Sequence, residues 1–107
     1  MSTQPDVAGV VPAVLHIHKF EEDGEHVVRV HTAIAPAVVL NEPRLAAALR
    51  LNARMRYGAF GVIDDELVIC DTFAERHATA EEVRRSMAYI AMRADDYEQS
   101  IMHVDER

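Results

Sequence analysis

Four of the six histidines, His16, His18, His26 and His31, fall between residues 16 and 31. Imidazole is a common ligand of zinc, nickel and copper, and two or three on one surface can hold such an ion. His16 and His18 are two residues apart, the spacing that puts side chains on one face of a strand. His31 joins them if a second strand folds back in the right register. Arg29 would sit in the middle of that patch and oppose a cation, and no acidic ligand falls in it. The leading reading is the wet face of a sheet; a metal or small-ligand site at His16, His18 and His31 is the alternative.

Other chemistry-bearing residues read as structural. General acid–base work needs carboxylates desolvated in a cleft. Glu21-Glu22, Asp64-Asp65 and Asp95-Asp96 fall at turns or on an outer helix face, where carboxylates are solvated. Cys70 sits in an apolar strand beside Asp71, whose charge raises a thiol pKa, so it reads as a core residue and not as a nucleophile. A single cysteine can neither close an internal disulfide nor anchor a cysteine-based zinc site. No serine sits in a nucleophile elbow, and Gly9, Gly24, Gly58 and Gly61 are too scattered to cradle phosphate. The residues thus point to a non-enzymatic protein with no cofactor.

The elements that position these residues follow from alternation and turn chemistry. Residues 13–20 alternate, Glu21–Glu25 breaks the pattern, and His26–Ala35 alternates again. Asp23-Gly24 between two such runs predicts a hairpin with a type I′ turn. That turn sets Phe20 opposite Val27, His18 opposite Arg29 and His16 opposite His31. Leu15, Ile17, Val28, Val30 and Thr32 then share the other face.

Asn41 and Pro43 predict a helix start, with the helix running to about Tyr57 and stopping at Gly58. Its apolar arc groups Leu45, Ala48, Leu49, Leu51 and Met55. Asn52, inside that arc, must find a hydrogen bond, to a nearby loop or in a ligand pocket. Residues 59–63 and 66–71 predict a second hairpin turning at Asp64-Asp65, a poorer turn pair that allows a longer loop. With apolar residues on both faces, it should be central or doubly covered.

Thr79-Ala80-Glu81-Glu82 is a capping box opening a helix of roughly 25 residues. Val83, Met87, Ile90, Ala94, Tyr97, Ile101 and Val104 form one stripe along it. The flanking positions lack the paired charges of a coiled coil, so the stripe should pack on the sheet. Tyr89 and Met92, off the stripe, are candidates for a dimer or partner contact. The fold class is therefore α+β, an antiparallel sheet of two hairpins with two helices in the order ββα–ββα.

Composition frames this reading. The 107 residues suit one domain, 13–107, preceded by a loose arm at 1–12. Eighteen acidic against eleven basic residues give a net charge of −7, which argues against broad nucleic-acid binding. Ten of the eleven basic residues are arginine, taken as a compositional habit of a GC-rich genome and not as a binding feature. No apolar run nears the roughly 18–20 residues of a membrane span, and the N-terminus lacks a basic leader, so a cytoplasmic setting is expected.

Leu49-Arg50-Leu51-Asn52, Tyr57-Gly58-Ala59-Phe60-Gly61-Val62, Asp64-Asp65-Glu66-Leu67-Val68 and Thr79-Ala80-Glu81-Glu82-Val83 together resemble the YbjN family. Arg93-Ala94-Asp95-Asp96-Tyr97 matches the acid-rich middle of that family's long helix, and the resemblance spans residues 40–104. It implies a fold like that of type III secretion chaperones and a homodimer that binds an unidentified protein partner. Members are described as bacterial sensory-transduction regulators, and no catalytic residues carry over. The family fold opens with a helix; residues 1–12 are short and proline-broken, so that helix is missing or supplied by a partner.

Overall fold

The protein is described from a computed structural model covering residues 14–104; the arm expected at 1–12 and the last three residues lie outside the described residues. Strands β1 (His16–Glu22) and β2 (Glu25–Pro36) are joined by Asp23 and Gly24, at φ 51° and 81°. Both central residues are left-handed, as a type I′ turn requires. The pairs His16–His31, His18–Arg29 and Phe20–Val27 match the register expected from the turn.

Strand β4 (Glu66–Ala74) pairs with β2 on one side and with β3 (Ala59–Ile63) on the other. The sheet is fully antiparallel with the order β1-β2-β4-β3. Only half of the second hairpin is therefore central. Strand β4 is buried at Leu67, Val68 and Ile69, while β3 is an edge and leaves Val62 exposed. A bulge between Ala33 and Ala35 shifts the β2–β4 register. Asp64 and Asp65 make a tight two-residue turn at φ 50° and 63°, not a longer loop. Aspartate tolerates this conformation better than most side chains.

Helix α1 spans Glu42–Asn52, capped by Asn41, whose side chain accepts the Arg44 N–H at 3.0 Å. It ends five residues before the expected Tyr57. Asn52 accepts the Phe60 N–H at 2.7 Å, and the chain leaves the helix to enter β3. Gly58 is no helix cap. At φ 73° it lies against β4, where an added Cβ would stand 2.5 Å from the Cys70 carbonyl oxygen.

The buried arc of α1 also differs from the expected one. Ala47 and Ala48 are buried, whereas Leu45 and Leu49 are exposed. The buried face of α1 is thus centred on two small alanines, and the two leucines lie outside it.

Helix α2 (Ala80–Met102) starts at Thr79, which accepts the Glu82 N–H. Its stripe lies on the sheet as expected, with Ile90 and Ile101 fully buried. Both helices join Val30, Ile34, Leu67 and Ile69 in one core, so the molecule has two layers. Ser86 is fully buried in this layer and donates to Asp71 Oδ2 at 2.7 Å. No helix among the described residues is long and apolar enough to cross a membrane.

Candidate functional site

The sheet face away from the helices carries His16, His18 and His31. His16 stacks on His31 with ring centroids 5.1 Å apart, and His18 stacks on Phe20 at 5.5 Å. Arg29 lies 4.8 Å over the Phe20 ring and donates to Thr72 Oγ1 at 3.1 Å. Burial lowers the His31 pKa below 6.5, and His16, Arg29 and His18 add to the effect against a weaker pull from Asp64. His31 Nδ1 is buried without a hydrogen-bond partner. The turn and alternation thus bring His16, His18 and His31 to one face, where rings stack instead of converging. Among the described residues no three His, Cys, Asp or Glu side chains are grouped to hold a metal ion.

Cys70 lies on the same face beside Gly61. Burial pushes its thiol pKa up, with Arg29 pulling it down and Asp71 adding to the rise. The thiolate is the reactive form, so this cysteine is not poised for nucleophilic chemistry.

The two residues picked from α2 have different surroundings. Met92 is 72% exposed. Tyr89 turns toward the segment that follows α1. Its ring packs edge-on to Tyr57 at 5.4 Å, and its hydroxyl lies 3.0 Å from that of Tyr97. The Arg56 N–H donates to the same Tyr89 oxygen at 3.3 Å.

These contacts frame a cleft of about 380 Å³ that sequence reasoning missed. Arg54 and Arg56 reach it from the coil after α1. Tyr89, Arg93, Tyr97 and Ser100 line it from α2, with Leu51 at its margin. The α2 residues recur at intervals of four, four and three, the repeat of one helical face. That interval is the signal the sequence offers, but Tyr97 also fits the apolar stripe and the arginines also fit the general composition.

The cleft is electropositive. No carboxylate lines it, and none of its three guanidinium groups pairs with a carboxylate among the described residues. Arg93 stands 5.5 Å from the Tyr89 ring centroid, within cation–π range. Burial opposes ionisation of Tyr89, but hydrogen bonds from Tyr97 and the Arg56 amide, with the Arg93 and Arg56 charges, hold its pKa below the ordinary value. Tyr97 is raised, by burial first and then by its bond to Tyr89. A second, smaller hollow lies beside Lys19, Phe20 and Glu75, where the Lys19 ammonium is already paired with Glu75 at 3.3 Å.

No model of a known protein family matches the chain, and no curated protein matches it.

Proposed function

We propose that this chain is a non-enzymatic, YbjN-like protein-binding module, chaperone-like or regulatory, that acts in the cytoplasm as a homodimer. One observation carries the reading. Leu45 and Leu49 lie one turn apart on α1 and are 47% and 67% exposed. Large apolar side chains grouped at a helix surface favour a protein partner, because each gains about 1.5–3 kcal/mol when fully taken out of water. The ββα–ββα order is compatible with the family resemblance, and the solvated carboxylates give no support to acid–base chemistry.

Light scattering across a concentration series tests the reading. The expected result is a dimer that dissociates on dilution, with Leu49→Glu remaining monomeric while its circular dichroism is unchanged. A wild-type chain that stays monomeric up to about 1 mM, weaker than roughly 4 kcal/mol of association, would overturn the homodimer.

A further inference from the structure

The cleft between the coil after α1 and the face of α2 that runs from Tyr89 to Ser100 has a composition at odds with the rest of the molecule. In a chain of net charge −7, three arginines meet there and no carboxylate answers them. Bringing Arg54, Arg56 and Arg93 together raises the free energy of the empty cleft by mutual repulsion, so an anion would be drawn in. Guanidinium groups match oxyanions by paired N–H donors, which a lone surface lysine cannot do.

The tyrosine pair adds a second, independent pointer. Two phenols carry two O–H hydrogens, and the Tyr89–Tyr97 contact consumes one of them. The Arg56 N–H fills a lone pair on Tyr89 and supplies no acceptor. Whichever phenol donates within the pair, one O–H is left over at the cleft. The Ser100 hydroxyl lines the same space. The site is therefore rich in donors and poor in acceptors, the inverse of a cation site.

We infer that the Arg54–Arg56–Arg93 cleft, with the leftover phenol O–H of Tyr89 or Tyr97, is a binding site for a phosphate monoester. A carboxylate has two oxygens and one charge and would leave part of this donor set unused. A phosphate dianion offers three terminal oxygens and two charges to three guanidinium groups and two kinds of hydroxyl. At about 380 Å³ the cleft also holds more than the bare ion, leaving room for the group that carries the phosphate. The inference is independent of the apolar surface on α1 and does not require a dimer.

The test is calorimetric titration of the whole chain at low salt with inorganic phosphate, an alkyl phosphate, a phosphoserine peptide and succinate. Saturable binding of the phosphates is expected, with succinate at least tenfold weaker. Arg93→Gln and the double variant Arg54→Gln/Arg56→Gln should each lose at least tenfold in affinity, whereas Arg84→Gln, at the other end of α2, should not. The double variant lies in coil, so it keeps the test decisive if Arg93→Gln fails to fold. Bound phosphate should also move tyrosinate absorbance to higher pH, because a nearby dianion disfavours phenolate. Tighter binding of the peptide than of the alkyl ester assigns the phosphate to a protein, and the reverse order assigns it to a small molecule; either supports the site. Absence of saturable binding, affinity unchanged in the arginine variants, or succinate bound as tightly as phosphate would overturn it.

Discussion

At the scale of single residues, His31 shows how burial shifts a proton equilibrium. Its imidazole stacks on His16 on the outer sheet face, and its pKa is lowered from 6.5, by burial first and then by electrostatic interaction with His16, Arg29 and His18. In the unfolded chain the same ring takes up a proton near 6.5, ahead of the folded state. Below that pH the unfolded state binds more protons, so stability must fall on acidification and level off only below the folded pKa. The melting temperature is expected to decline below pH 6.5, and His31→Gln should flatten that decline. Equal slopes for the two proteins would show that His31 carries none of it. The alternation of residues 13–20 and 26–35 made the position of this ring legible, but its burial was not. Burial depends on the stacked His16 ring and on β4 alongside, and both are set by the assembled sheet.

At the scale of elements, the two hairpins make a natural comparison. Both turn through two left-handed residues, but one pair is Asp23-Gly24 and the other Asp64-Asp65. Glycine takes positive φ without the Cβ conflict that costs other residues roughly 1–2 kcal/mol, part of which returns as greater unfolded-state entropy. Asp65→Gly should therefore raise stability by about 0.5–1 kcal/mol, read as a later urea midpoint at constant m value. A midpoint equal to or below that of the parent would mean that Asp65 is already relaxed in the turn. Gly58→Ala should act in the opposite sense and more strongly. Its Cβ would meet the Cys70 carbonyl at 2.5 Å as well as the positive φ, so a loss of more than about 2 kcal/mol in the same urea experiment is expected. A loss below 1 kcal/mol would show that the β3–β4 contact yields easily.

The elements also mark where sequence reasoning stops. Turn pairs and alternation specify strands because each acts locally. The end of α1 does not follow from local signals, since Asn52 is satisfied by a strand eight residues later and Gly58 is demanded by the close approach of the Cys70 carbonyl. The cleft was less legible still. Its halves are 33 residues apart at the Arg56–Tyr89 contact, and no local pattern joins an arginine in coil to a phenol on another helix.

At the scale of the whole molecule, net charge and apolar surface pull self-association in opposite directions. Two copies at −7 each repel, while Leu45 and Leu49 favour contact. Salt separates the two terms, because it screens repulsion between exposed charges over about 10 Å at 0.1 M and leaves apolar burial in place. A homodimer joined through α1 should therefore tighten as salt rises from 0.02 to 0.5 M, by roughly tenfold if screening recovers about 1.4 kcal/mol of repulsion. A complex with a basic partner segment would weaken over the same range, since its attraction is what salt removes. Leu45→Glu should abolish the dimer at every salt concentration while leaving phosphate binding in the arginine cleft intact, which keeps the two surfaces experimentally distinct. A dimer that loosens with salt in sedimentation runs would mean that charged groups, and not the α1 leucines, hold the copies together.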